Sequence, residues 1–434
     1  MIKRMKLINI LVILSSVSML LMGCNTNEMK VFNGLINQNN MTSYESDTSV
    51  NMNVNVTGLS EEEELEVQQL LYMINNSGVE LHQKMERNED QTKIKAETNL
   101  DMNLAGMAMN TSIWVDSDIT KDEIAIKEIF QLPAMMKMGM PESYRNKEYF
   151  VIDFADMNNS MEEEIISEEL LKESIELSKE FQPIVEEFLK GYAKDFNFKK
   201  DIISYEGKEK IDGETVKVYE MKFDDETFKD FLQYAAHTFV ESDSTENFMR
   251  EYFRIITEFA DNIDVEDEIE KEDMTQALNE MLYIFSEDSR EDVLSSIDSF
   301  FDTIENLNIL GEEGLVINYK IDTNDNIVNT NGVVHLSISQ NDIMNIQMQQ
   351  YYTEEELAFT PEVSEVEEEA SMEDVIIDIK LEFNQDIYNI NEDIDIQLPE
   401  LTEENSISYM DILKMEQEIM NTEEVYNTNS TLVF

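Results

Sequence analysis

Few residues in this chain can react, so each can be weighed in turn. The only thiol, Cys24, directly follows an apolar run. The three histidines, His82, His237 and His335, are far apart in sequence. His237 and Glu241 stand four apart on an expected helix and would share a face, but no HExxH run or Cys/His cluster accompanies them, and zinc is not indicated. Four of the 28 methionines fall at Met135, Met136, Met138 and Met140 in "PAMMKMGMPE". Thioethers bind Cu(I), yet no His or Cys is near in sequence to complete a site. Methionine is first an adaptable hydrophobe, so ordinary packing is expected, with the lining of a lipid-contacting surface second. Asp322, Asn324 and Asn326 open like a calcium loop, but Ile327 stands where the tight turn needs Gly and no Glu closes it, which leaves a hairpin turn.

No G-x-S-x-G run and no Gly-rich phosphate cradle occurs. Among 94 acids, two carboxylates close in sequence carry no signal for glycoside hydrolysis, and Trp114, the single Trp, offers little for sugar stacking. The chain therefore reads as non-enzymatic, with no catalytic residue, metal or cofactor assigned and no ligand-binding residue identified.

Cys24 is the exception. Lys3, Arg4 and Lys6 are followed by an apolar stretch from Leu7 to Met22. That is the layout of a secretory signal, and it falls short of the roughly 20 apolar residues of a membrane-spanning helix. One cysteine makes no intrachain disulfide. The run Leu21-Met22-Gly23-Cys24 resembles the lipobox of bacterial lipoproteins. The resemblance implies cleavage before Cys24 and a diacylglyceryl group on its sulfur. Two acyl chains make a stable anchor where one is marginal. The expected layout is a signal over 1–23, a lipidated tether over 24–29 and a chain held on the outer, extracytoplasmic face of the cell membrane.

Losing Lys3, Arg4 and Lys6 moves the net charge from −63 to −66. Such a chain does not bind nucleic acid through phosphate contacts, and it repels anionic headgroups overall. Calcium or magnesium would gather diffusely around these carboxylates, and a solvated acidic surface is the plainer reading. At 42% hydrophobic residues, the chain has ample material for a folded core.

The elements follow from periodicity. A short helix is expected over 30–42. Strict alternation in "VNMNVNV" from Val50 marks a strand, and Ser60 with Glu63 forms a capping box before a helix ending near Asn75. Alternation resumes over 79–85, 94–104 and 107–115, with an apolar run over 148–154. Between 200 and 223 two strands flank an Asp212-Gly213 turn. Helical spacing runs from Met161 to Phe196, with Pro183 expected to kink or divide it. Further helices are expected near 226–240, 245–260, 273–286 and 290–307, with an acidic connection over 261–273. Strands return from Gly314, in "NIQMQQYY" and in "VIIDIKLEF", with an acidic loop over 362–374. This order predicts an α+β fold with one large curved antiparallel sheet packed over helices, the helical portion lying over about 161–307.

The lipobox, the alternating strands, "YEGKEKIDGETVKVYEMKFD", "INYKIDTNDNIV" and "YNINEDIDIQLPE" together resemble Gram-positive surface lipoproteins with a fold like the LolA/LolB and LppX/LprG carriers. The resemblance covers roughly 30–400 and leaves 401–434 as a tail expected to be helical. It implies a half-barrel wrapped over helices, an apolar lipid or acyl-chain ligand between them, and no catalytic residue. The alternative is a structural or interaction lipoprotein of the envelope with a closed core, whose acidic surface meets a basic partner.

Overall fold

The computed structural model describes residues 26–104, 106–120, 125–160, 168–262, 283, 285–344 and 374–413. The fold is α+β. Its strands are β1 Ser43–Thr57, β2 Gly78–Arg87, β3 Lys93–Leu104, β4 Met107–Asp118, β5 Ala125–Gln131, β6 Tyr149–Asp153, β7 Ile203–Ile211, β8 Glu214–Phe223, β9 Leu310–Ile321, β10 Ile327–Ser339, β11 Ile376–Tyr388 and β12 Ser406–Ser408. They form one sheet in the order β12-β6-β5-β4-β3-β2-β1-β11-β10-β9-β8-β7. It is mostly antiparallel, but β12 runs parallel to β6. The helices are α1 Thr26–Asn39, α2 Glu61–Asn75, α3 Ala134–Gly139, α4 Phe154–Ser160, α5 Glu168–Asp195, α6 Asp225–Glu241, α7 Asp243–Asn262 and α8 Glu287–Ile304. Cys24, the helix expected over 273–286, the strand "NIQMQQYY" and most of the acidic connections lie outside the described residues.

Local chemistry explains several boundaries. The capping box closes as expected: the Glu63 carboxylate accepts from the Ser60 amide at 2.9 Å and from its hydroxyl at 2.6 Å. Asp212 and Gly213 both take positive φ, 49° and 90°, as a two-residue hairpin turn requires. Asp322 Oδ1 accepts the Asn324 and Asn326 amides at 2.8 Å, which makes the 322–326 segment an Asx-type turn between β9 and β10.

Three expectations need correction. α1 begins at Thr26, so most of the segment expected as a tether is helix. The C-terminal stretch contributes β12 before any helix, so 406–408 belongs to the sheet. Pro183 does not divide α5, which runs through it from Glu168 to Asp195. A mid-helix proline costs about 3 kcal/mol. Here Phe181 and Phe188, on either side of it, both pack on Phe248, with ring centroids 6.0 and 4.6 Å away.

The chain divides into two interleaved units. The first comprises Met1–Asn39, Asn51–Asn75 and Glu169–Asn384; the second comprises Asn40–Val50, Asn76–Glu168 and Gln385–Phe434. In the first, α1, the C-terminal half of α5, and α6 close over β7–β10 through an aromatic core. Phe188, Tyr192 and Phe196 repeat every four residues along α5, so they fall on one face. Tyr192 donates its hydroxyl proton to the Ala235 carbonyl at 2.9 Å, and burial holds its phenol far above the usual range. Phe231 and Phe223 complete the core. Gly34 sets how closely α1 approaches, because a Cβ there would lie 2.8 Å from Ile327 Cγ1. α8 covers the other side of α6 through Ile297, Phe301 and Ile304.

Phe231 has no exposed surface, so Phe231→Ala should lower unfolding free energy by about 3–5 kcal/mol in chemical denaturation. A pH response follows from Asp224, the N-cap of α6, which accepts the Thr227 amide at 2.8 Å. That bond holds its carboxyl below the ordinary value. A depressed carboxyl contributes stability above its unfolded pKa of about 3.9 and loses it as pH falls through the folded value. Asp224→Asn keeps the cap and should flatten this acid-side loss in denaturation curves taken between about pH 5 and pH 2; an unchanged slope would show that the cap does not titrate with unfolding.

Candidate functional site

The second unit is organised by the two faces of β2–β6. Successive side chains of a strand point to opposite faces, and residues directly opposite across strands share one. The register fixes the rows. Leu81, Leu100 and Thr111 are aligned, as are Val79, Met102 and Met109. Gln83, Thr98, Ile113, Phe130 and Phe150 form a row across five strands. Met85, Ala96, Val115, Glu128 and Ile152 form the next. This face is predominantly apolar, yet every residue in these rows remains only part-buried. Phe130 and Phe150 lie with ring centroids 6.0 Å apart. The polar members are few and bridged locally: Tyr44 donates to Gln83 Oε1 at 3.3 Å, and burial raises the Tyr44 phenol. Thr111 donates to the Gln131 carbonyl at 2.6 Å.

Exposed methionines stand at one end of this face. Met107 closes the β3–β4 hairpin, and Met135, Met136 and Met138 line α3, which follows β5 at the end where the hairpin turns. Met138 is 79% exposed, and α3 buries no residue. Ordinary packing, the expectation for this run, is therefore corrected. A six-residue helix without an apolar partner leaves its thioethers in solvent.

The opposite face carries the hydrogen-bonding groups. His82 Nδ1 and Asp47 Oδ1 are 2.7 Å apart, and Tyr388 donates to the other oxygen of Asp47 at 3.0 Å. Burial and the Asp47 carboxylate push the Tyr388 phenol up to about 12. A His–Asp pair can orient a base, but the nearest hydroxyl along this row, Ser112, is two strands away across Asn99, roughly 10 Å. Its hydroxyl donates to Asn99 at 2.6 Å. The pair is a structural tie here, joined by Asn389, which donates to Glu45 at 2.8 Å.

One apolar island interrupts this polar face. Trp114, Ile129 and Val151 are buried beneath Tyr149, Leu398 and Leu401. The segment after β11, which supplies Ile394, Ile396 and Leu398, thus seals this side of the second unit. Trp114 Nε1 is buried with no hydrogen-bond partner among the described residues.

The other histidines also face aspartates. His237 Nε2 lies 2.7 Å from Asp298 Oδ1, and with Gln233 it holds the Asp298 carboxyl below its ordinary value. His237 is therefore turned to Asp298. His335 Nδ1 accepts the Glu313 amide at 3.3 Å, with Asp378 3.7 Å from Nε2. Among the described residues no group of three or more His, Cys, Asp or Glu could hold a metal ion. Sequence reasoning missed β5 and with it Phe130; "AIKEIFQ" is short and places apolar residues on both faces. Comparison with family models, with curated proteins and with solved structures returns no match for this chain.

Trp114 is the only indole, so its fluorescence reports this seal alone. Leu398→Asp should open it, shift the emission to the red and raise acrylamide quenching; unchanged emission would show that the segment does not depend on Leu398.

Proposed function

We propose that this chain is a membrane-tethered, non-enzymatic lipoprotein of the extracytoplasmic face that holds an apolar ligand, a lipid or acyl chain, against the sheet. The single observation that carries the reading is the part-buried apolar face of β2–β6 in the second unit. A sheet in water alternates so that its apolar face is covered, and large uncovered apolar areas mark binding surfaces. Here the covering segment lies on the other side, over Trp114. Among the described residues, the rows through Leu100, Ile113 and Phe130 keep part of their surface exposed.

The anchor belongs to the same reading through the lipobox-like Leu21–Cys24 run, with Cys24 as the lipidated residue. A curved, half-barrel arrangement of the twelve-stranded sheet is the geometry the LolA-like resemblance implies, and the largely antiparallel order is consistent with it. The alternative, an envelope interaction protein with a closed core, draws support from the first unit, where aromatic side chains fill the layer between helices and sheet. The second unit tips the balance, since its apolar rows are only part-buried among the described residues, in contrast to the filled core of the first unit.

Native mass spectrometry of the full chain with lipid extraction tests the reading. A co-purifying lipid at about one per chain supports it. Ile113→Asp should weaken that binding by roughly tenfold, through lost apolar contact and a charge placed in its path. Ile113 is part-buried, so chemical denaturation of the variant is run beside it, and the loss is read as binding only where the fold is kept. A lipid-free mass that persists after incubation with membrane lipids would leave the interaction protein as the reading.

A further inference from the structure

The hairpin β7–β8 at one end of the sheet order segregates its charges by face. The register places Tyr205 opposite Tyr219, Lys208 opposite Lys217 and Lys210 opposite Thr215. Tyr219 belongs to the core side, so these six residues share the face that α1 adjoins, and no hairpin acid lies among them. The acids fall on the other side. There Glu209 pairs with Lys320 at 2.9 Å, over Val216 and Val218.

Lys208 and Lys217 are a like-charged cross-strand pair, which is destabilising unless an anion meets it. Among the described residues neither makes an ion pair, and neither does Lys210. In a chain of net charge −63, carboxylates to pair them are abundant. Two acids of the β9–β10 turn are engaged elsewhere. Asp322 caps its own turn, and Asp325 holds Lys30 at 2.9 Å.

The start of α1 lies against the same hairpin. Asn27 Nδ2 donates to the Ile203 carbonyl at 3.4 Å, and Lys30 interacts electrostatically with Tyr219. One residue, Asn25, lies between Thr26 and Cys24, so at most about 7 Å of extended backbone separates them. Tyr205, its ring tilted against that of Tyr219 with centroids 5.4 Å apart, is 45% exposed, and Met29 on α1 is 38% exposed. Tyrosine suits a headgroup interface, with an apolar ring and a polar tip. Pairing with a second copy through the β7 edge is disfavoured by Lys208, Lys210 and the bulge at Gly207.

From these observations we propose that the face of β7–β8 bearing Lys208, Lys210, Lys217 and Tyr205 docks on an anionic lipid bilayer. This rests on the anchoring of Cys24, which would hold the hairpin within reach of the headgroups. Basic residues near such a surface are each attracted to it within a Debye length. The lysines thus offset locally the repulsion that the chain suffers overall.

Lysine acetylation of the full chain, purified from membranes and reconstituted in vesicles, tests the proposal. Phosphatidylcholine vesicles with and without phosphatidylglycerol are compared, with Lys84 and Lys95 of the second unit as controls. Lys208, Lys210 and Lys217 should be modified about fivefold more slowly on the anionic vesicles, and the difference should vanish in about 0.5 M salt. K208E with K217E should return Lys210 to its rate on neutral vesicles. Equal rates on both vesicles, with a lipid found on the Cys24 peptide, would overturn the docking face and leave the anchor standing. A Cys24 peptide without lipid would overturn the anchor and this inference together.

Discussion

Register is the constraint on which the second unit depends. Along β2–β6 one face is apolar and the other carries the His82–Asp47–Tyr388 tie and the Lys and Asp side chains. A shift of one residue in any strand would move its apolar set to the polar side. Direct pairing runs without a break from Lys93 opposite Asp118 to Leu104 opposite Met107, which leaves no bulge between β3 and β4 to absorb such a shift. The polar ties on the far face therefore help keep the apolar face apolar.

The two units solve the burial problem differently. In the first, helices supply the second layer, and rings on α5 and α6 interlock with β8 and β9 until Phe231 has no contact with water. Such a core is selected for shape, and its aromatic pairs tolerate little change in volume. In the second, the Trp114 side is sealed among the described residues by Leu398 and Leu401 from the chain after β11, and the opposite face stays part-buried. The same sheet thus carries a rigid, filled layer in one unit and a lightly covered, methionine-rich surface in the other. Methionine's flexible thioether suits a surface that must adapt to what it touches.

Much of the fold was legible in the sequence because its signals were local. Alternation located β1 to β4, the Asp212-Gly213 pair located the β7–β8 turn, and the Ser60–Glu63 box located the start of α2. Where the sequence misled, a tertiary contact had overridden a local preference. Pro183 argues for a break that rings on both sides suppress. The methionines of α3 argue for packing, but among the described residues α3 buries none of them. The apolar face itself was readable as one half of each alternating pattern. That it would remain only part-buried was not, since coverage depends on where the segment after β11 lies, and that segment chose the other side. The Lys208–Lys217 opposition follows from the two-residue Asp212-Gly213 turn, which sets the register up to the bulge between Tyr205 and Gly207.

The closure between the two ends of the second unit constrains how the chain can be made. The Asn391 amide donates to the Ser43 carbonyl at 2.8 Å, and the Thr42 amide to Asn391 Oδ1, partners 349 residues apart. β1 therefore emerges long before the residues that complete its surroundings. A loop of that length costs little extra in closure entropy, since the cost grows only logarithmically, but it delays the event. Until the segment after β11 arrives, the Trp114 island lacks the cover of Leu398 and Leu401. The time spent waiting for the C-terminus, more than the depth of the native energy well, should then govern the yield of folded protein, and a chaperone or a nearby membrane would have its greatest effect in that interval.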